Sequence, residues 1–288
     1  RIMFEGAAPG IAFGNGFVTV VAGEISRLDH SAAHRARHCY PFDYDRSAAR
    51  PMLESFLTEL FGDCDLVEQL QRIELLQEYV GITLIGEAPK YQRALFLYGH
   101  GGNGKSEALR ILRGVFPPGS VSSIPPQRWG ERFRLAQLDG KLANFVDEIP
   151  EGEILAGEAF KSVVTGEPNT AERKNKDPFD FIPRAGHIFS ANAPLATSDH
   201  SEGFWRRPLP LPFTRRFDTS PERRIDAGIA VLSAELPAIV SWAIEGAARA
   251  QRQGGYTVPG SSTRTAAEWR DESDQVRMFA AEQPIVEK

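Results

Sequence analysis

Excess positive charge, cysteine and long apolar runs are all scarce in this chain. Lys and Arg total 33 against 38 Asp and Glu, a net charge of −5. That excludes a protein coated in basic surface, so contact with nucleic acid has to be local, in a loop or channel. Two cysteines, Cys39 and Cys64, among 288 residues make no disulfide framework and suit a reducing cytoplasm. No segment reads as the run of about 18 apolar residues that a membrane span needs. The opening Arg-Ile-Met-Phe lacks the basic flank and apolar core of a signal peptide; without an initiator Met, the expectation is a piece of a longer protein. Internal repeats and low-complexity tracts are missing too. The apolar share of 42% and charged share of 25% are ordinary for a globular protein long enough for more than one domain.

What is present changes texture along the chain. Ile11 to Phe13 and Phe17 to Val21 flank Gly14-Asn15-Gly16, a hairpin signal because Asn and Gly tolerate positive φ. Leu53, Phe56, Leu57, Leu60 and Phe61, then Leu66, Leu70, Ile73, Leu76 and Val80, fall at helical spacing. Gly81 is expected to end that second helix, and Pro89 marks a junction. Short apolar runs suited to buried parallel strands follow at Ala94 to Tyr98, Leu142 to Val146 and His187 to Ser190. Helical pattern links them, so a parallel α/β sheet covered on both faces is predicted. Pro117-Pro118-Gly119 breaks the first linking helix. From Ile225 to Arg252 and from Arg264 to Glu282 the pattern is again helical.

The stretch Gly99-His100-Gly101-Gly102-Asn103-Gly104-Lys105-Ser106 completes the pattern G-x-x-x-x-G-K-[ST] between a strand and a helix. Glycines let backbone N–H groups turn inward around phosphates, and the following helix offers its positive end. Lys105 is expected on the β/γ-phosphates of ATP and the Ser106 hydroxyl on Mg²⁺. Asp147 and Glu148 close the second apolar run; Asp147 suits the metal and Glu148 the attacking water. Asn192, beyond the third run, can sense the γ-phosphate. Arg206 and Arg207 beside Phe204-Trp205 suit a finger that reaches a neighbouring subunit's phosphates.

With these elements together the chain resembles the superfamily 3 helicases, and within them the helicase portion of phage- and plasmid-type (poxvirus-like) primase–helicases. The likeness rests on Tyr98-Gly-His-Gly-Gly-Asn-Gly-Lys-Ser106, Leu138-Asp-Gly-Lys141, Asp147-Glu148, Phe189-Ser-Ala-Asn192, Phe204-Trp-Arg-Arg207 and Pro210-Leu-Pro-Phe213. It implies an AAA+-like three-layer α/β/α core over residues 90–218, a smaller α+β domain over 1–89 and a helical segment over 219–288. It also implies a homo-oligomeric ring, usually hexameric, that translocates on DNA in the host cytoplasm, with a primase domain in the same longer chain. Lys105, Ser106, Asp147, Glu148 and Asn192 would serve one subunit's ATP site, and Arg206 or Arg207 the next. Arg207 is preferred because it directly precedes the run Pro208 to Phe213.

The resemblance further implies a pore hairpin between the acidic strand and Asn192. Arg173, Lys174 and Lys176, in a turn-rich stretch bounded by Gly166 and Pro178, are the candidates to grip backbone phosphates without reading bases. Phe179 and Phe181 are candidates for base stacking or for the core. A rival pattern, His30, His34 and His38 with Cys39, has helical spacing that can hold Zn²⁺. Two other functions share the central motifs: an ATP-gated initiator or loader that does not unwind processively, and a P-loop switch or kinase with no nucleic-acid partner.

Overall fold

In the computed structural model of the protein, the described residues are 8–152, 154–217 and 226–273. The chain opens with β1 (Ile11–Phe13), β2 (Gly16–Val21) and β3 (Glu24–Leu28), an antiparallel sheet in that order. Phe13 pairs with Gly16, leaving Gly14 and Asn15 as the two-residue connection that the sequence signals. The second hairpin, β2 to β3, carries no Asn-Gly signal and turns through Ala22 and Gly23 at φ 51° and 82°.

Helices α1 (Pro51–Leu60), α2 (Leu66–Leu84) and α3 (Ala88–Tyr91) follow. The Asp65 side chain caps α2 by accepting from the N–H groups of Val67 and Glu68, satisfying two of the donors that a helix start leaves free. Gly81 does not end α2, which continues to Leu84. Its missing side chain serves packing: a Cβ there would lie inside the contact distance of the Ala243 carbonyl oxygen, and one on Gly246 would meet the Gln77 backbone. Each glycine thus admits the partner helix's backbone. Gln77 donates across the seam to the Trp242 carbonyl at 2.7 Å.

The central unit runs through β4 (Ala94–Tyr98), α4 (Lys105–Gly114), β5 (Val121–Ser122), α5 (Arg132–Leu135), β6 (Ala143–Ile149), β7 (Ile154–Leu155) and α6 (Gly157–Thr165). It continues with β8 (Asn169–Ala171), β9 (Phe179–Phe181), β10 (Gly186–Ala191), β11 (Ala196–Thr197), α7 (Glu202–Trp205) and β12 (Pro208–Pro212). Five strands form a parallel sheet in the order β12-β4-β10-β6-β5. Alternate residues point to opposite faces: Leu95 and Leu97 join one apolar core, and Ala94 and Phe96 the other. The expected parallel sheet with two covered faces is therefore present. The first core also takes in β1, β2, α1 and α2, so the opening residues pack on the same face as α4.

Two helices close the described chain, α8 (Ala227–Gln253) and α9 (Gly260–Ser273). Helix α9 begins before the expected Arg264; residues 274–282 of the expected helix, like Ile225, lie outside the described residues. One sequence reading is corrected by α8, which by length and composition is apolar enough to cross a membrane. However, 56% of its apolar window is buried within the protein, where Val231, Ile239, Val240 and Ile244 enter the first core.

Candidate nucleotide cleft and nucleic-acid face

The loop after β4 turns where only glycine is comfortable. Gly99 and Gly104 have φ of 145° and 84°, and a Cβ on either would strike Phe213 or Leu60. Asn103 is buried and stitches the loop to the exit of β12, donating to the Phe213 carbonyl at 2.9 Å. Lys105 opens α4. Its ammonium donates to Gly99 O, to His100 O at 2.8 Å and to Asn103 Oδ1 at 3.3 Å. Burial pulls its pKa down to about 8, with the Glu148 carboxylate partly offsetting that loss. A lysine held by carbonyl oxygens in this way is ready to exchange them for a stronger acceptor such as a phosphate.

Asp147 and Glu148 lie inside β6, not beyond its end. Pairing with β10 runs Phe189 to Val146 and then Ala191 to Ile149, so β6 carries one extra residue just at the two acids. Such a bulge re-aims side chains. Asp147 Oδ1 accepts from Arg113 Nη2 of α4 at 2.6 Å, while Glu148 Oε1 accepts from Asn192 Nδ2 at 2.8 Å. Strand β10 sits directly between β4 and β6. Asn192 therefore neighbours the loop, and the acids stand one strand further, roughly 10 Å away at sheet spacing.

These residues share one cleft of 650 Å³, lined by the loop, Ser106, Asp147, Glu148 and Asn192. Its other wall is largely apolar, from Met52 and Phe56 of α1, Phe217, and Ala230 and Val231 of α8, with Ser55 and Glu59 of α1 beside them. The size and the mix of an apolar wall with a few convergent polar groups suit a nucleotide. No cluster of three or more His, Cys, Asp or Glu fit for a metal occurs among the described residues. Mg²⁺ bound with a nucleotide needs only one or two protein oxygens beside the phosphates. The exposed Ser106 hydroxyl and the exposed Asp147 carboxylate fit that set, although Arg113 must yield Asp147.

The opposite, N-terminal edge of the sheet carries the other candidates. Strands β8 and β9 form an antiparallel hairpin whose turn exposes Arg173, Lys174 and Lys176. Arg173 lies 4.7 Å from the Phe179 ring centroid and donates to Asp139 at 2.8 Å. Phe181 is buried in the core. The aromatic that is free to stack is instead Phe133 of α5, 55% exposed and beside Lys174 and Lys176 at the turn. A lone Phe between Arg132 and Arg134 was its only sequence signal.

Arg206 and Arg207 precede β12 and so also lie at this edge. Arg207, the preferred finger, is 5% exposed. It donates to Thr165 Oγ1 at 2.7 Å and to the Gly203 carbonyl, so its guanidinium is spent within its own chain. Arg206 is exposed and reaches Gln92 Oε1 at 3.0 Å. Of the two, Arg206 is the one whose side chain is open to solvent. The histidine pattern also falls away, because residues 30–38 hold only a short 3-10 turn at Ala32–His34. His34 stacks on Phe17, while His30 and His38 approach the carbonyls of Gly14 and Gly140.

Comparison with known proteins gives the fold company. Residues 97–207 match the profile of a family of unknown function, DUF5906, a stretch that runs from β4 to Arg207. No curated protein matches the chain. The apo structure of the NrS-1 C terminal region (305-718) is similar at a TM-score of 0.57 with 12% identity, over 92% of this chain and 72% of that one. An A form of the same region aligns at 0.54 and 12%, over 93% and 73%. At that identity the chain shares the fold of the NrS-1 C terminal region.

Proposed function

We propose that the protein is an ATP-dependent DNA helicase, a ring of identical subunits, hexameric, that serves replication of a phage, virus or mobile element. One observation carries the reading: Lys105, Ser106, Asp147, Glu148 and Asn192 line a single cleft, while the basic hairpin lies at the far edge of the same sheet. In this reading the loop N–H groups and Lys105 bind the phosphates of ATP. Ser106 and Asp147 would hold Mg²⁺, and the ion would supply charge neutralisation for phosphoryl transfer. Glu148 orients a water and takes its proton, its carboxylate steadied by Asn192.

Arg206 belongs to the neighbour's site. It is separated from its own loop by the length of β12, five residues or about 17 Å, and its guanidinium faces solvent. Lys174 and Lys176 make no ion pair among the described residues and grip the DNA backbone, with Phe133 offering a stacking face.

The experiment combines ATP hydrolysis with strand displacement on a long forked duplex. Lys105→Ala removes both activities, with hydrolysis falling by about 10²-fold or more. Lys174→Ala with Lys176→Ala retains basal hydrolysis and loses its stimulation by DNA. Hydrolysis without any displacement by the unaltered protein would point to a loader, and DNA-insensitive hydrolysis by a monomer to a switch.

A further inference from the structure

A second cleft, of 680 Å³, opens at the N-terminal edge of the parallel sheet. Five separate segments wall it, with Pro168 beside them: residues 8–11, residues 35–38, the turn at 85–90 after α2, the loop 139–142, and residues 180–184 leading out of β9. Its floor is apolar, from Ile11, Ile85, Leu142 and Phe181, and Ile182 stands 59% exposed on its rim. Arg35, Arg37, Lys141 and Arg184 bring positive charge to that rim.

The acids among these residues are already engaged. Glu87 is buried and accepts from Lys90 and, at 2.8 Å, from Gln251. Asp139 accepts from Arg173 at 2.8 Å, and Asp180 from Thr170 at 2.7 Å. Lys141 and Arg184, by contrast, donate to carbonyls: Lys141 to Gly119 at 2.7 Å and Arg184 to Gly86 at 3.5 Å. Glu87 also supports the charge of Arg184 against its partial burial. Five cations, Arg35, Arg37, Lys90, Lys141 and Arg184, line the cleft against three carboxylates, Glu87, Asp139 and Asp180, so it is locally cationic in a chain of net charge −5.

It is also continuous with the hairpin. Phe181 and Ile182 leave β9 into the cleft wall, and Asp139 on that wall is the residue that holds Arg173. We propose that this cleft continues the nucleic-acid path and takes single-stranded DNA beyond the hairpin turn, phosphates on the Lys141 and Arg184 rim and bases against Leu142 and the exposed Ile182. A single strand offers both surfaces at once, flexible phosphates and unpaired base faces. A duplex keeps its bases stacked inside and cannot lay them on a floor. The assignment rests on the DNA-motor reading of the hairpin.

The test measures binding of fluorescent oligothymidylates of about 6 and about 20 nucleotides, lengths near the site sizes of single-strand binders, by anisotropy over a range of salt. Lys141→Gln with Arg184→Gln is expected to weaken the longer strand about tenfold. The same variant should flatten the log–log salt slope by about 1.4, near 0.7 for each lost phosphate contact. Binding of the short strand and hydrolysis without DNA stay as they were. Ile182→Glu, at an exposed position, gives the same selective loss with no burial to disturb.

Unchanged affinity and slope in both variants, beside a loss in Lys174→Ala with Lys176→Ala, overturns the cleft assignment alone. If the hairpin variant also binds normally, the motor reading falls with it. Displacement of the longer strand by polyglutamate at equal charge reassigns the cleft to an acidic protein partner.

Discussion

The two edges of the parallel sheet present positive charge by different means. At the C-terminal edge the chemistry is built from main chain: a glycine loop, the start of α4, and one lysine held by carbonyls of its own loop. Helix N-termini gather at that edge, so the backbone itself supplies positive potential. The N-terminal edge receives helix ends of the opposite sign. Arg207, bonded to Thr165 at the end of α6, answers that potential, and the remaining positive charge sits on long side chains of turns. The contrast separates two tasks. Under the proposed reading, groups that must be placed to tenths of an ångström for phosphoryl transfer are fixed by strand ends, whereas groups that would let a strand slide are exposed and interchangeable.

Three substitutions or conditions would sharpen or break this contrast. The largest effect concerns the adjacent arginines. Arg206→Ala should lower hydrolysis in the assembled state by about 10³-fold and leave stability within about 0.5 kcal/mol. Arg207→Ala should cost about 2 kcal/mol of stability, the loss of a buried charge-assisted hydrogen bond. Denaturant titration beside an ATPase assay separates them, and a reversed pattern would restore Arg207 as the finger.

Next is the seam that joins α2 to α8 behind both edges. Gly81→Ala pushes a methyl against the Ala243 carbonyl and should destabilise the whole protein by about 3 kcal/mol. Nucleotide and DNA binding should then fail together at one urea concentration; separate failures would show that the edges unfold independently.

The smallest effect is one of pH. The Lys105 pKa is depressed to about 8 from an ordinary 10.5, so its charge is full below pH 8 and lost above it. Phosphate binding needs the charged form, so nucleotide affinity should fall by up to about tenfold for each pH unit above 8. Calorimetric titration of an ATP analogue at pH 7 to 10 reads this, and Lys105→Arg should flatten it.

Legibility in the sequence followed range. Strands β4, β6 and β10 could be read because strands buried on both faces are continuous apolar runs, and the loop between Gly99 and Ser106 is a local pattern. Strand β12 could not, since Pro208-Leu-Pro-Leu-Pro212 reads as a strand breaker; at the sheet edge those prolines are tolerated. Gly81 was misjudged because a glycine that admits another helix looks the same as one that ends its own. The apolar wall of the nucleotide cleft joins α1 to α8 across most of the chain, and Arg113 meets Asp147 across 34 positions. No local pattern records either meeting. Adjacent letters also hide burial: Arg206 is exposed and Arg207 buried, a difference that no local pattern records.

The extra residue that β6 carries at Asp147 and Glu148 makes the two acids a single inheritance. In a regular strand, neighbours face opposite ways and could be exchanged one at a time. Here the bend that aims one acid also aims the other, and Ile149 still meets Ala191 because the extra residue is absorbed between it and Val146. Removing either position would leave two steps of β6 against two of β10, so the strand would straighten with Val146 and Ile149 still opposite Phe189 and Ala191. The ladder would thus accept a single acid at this place, and the second is a spacing that the pairing itself does not require.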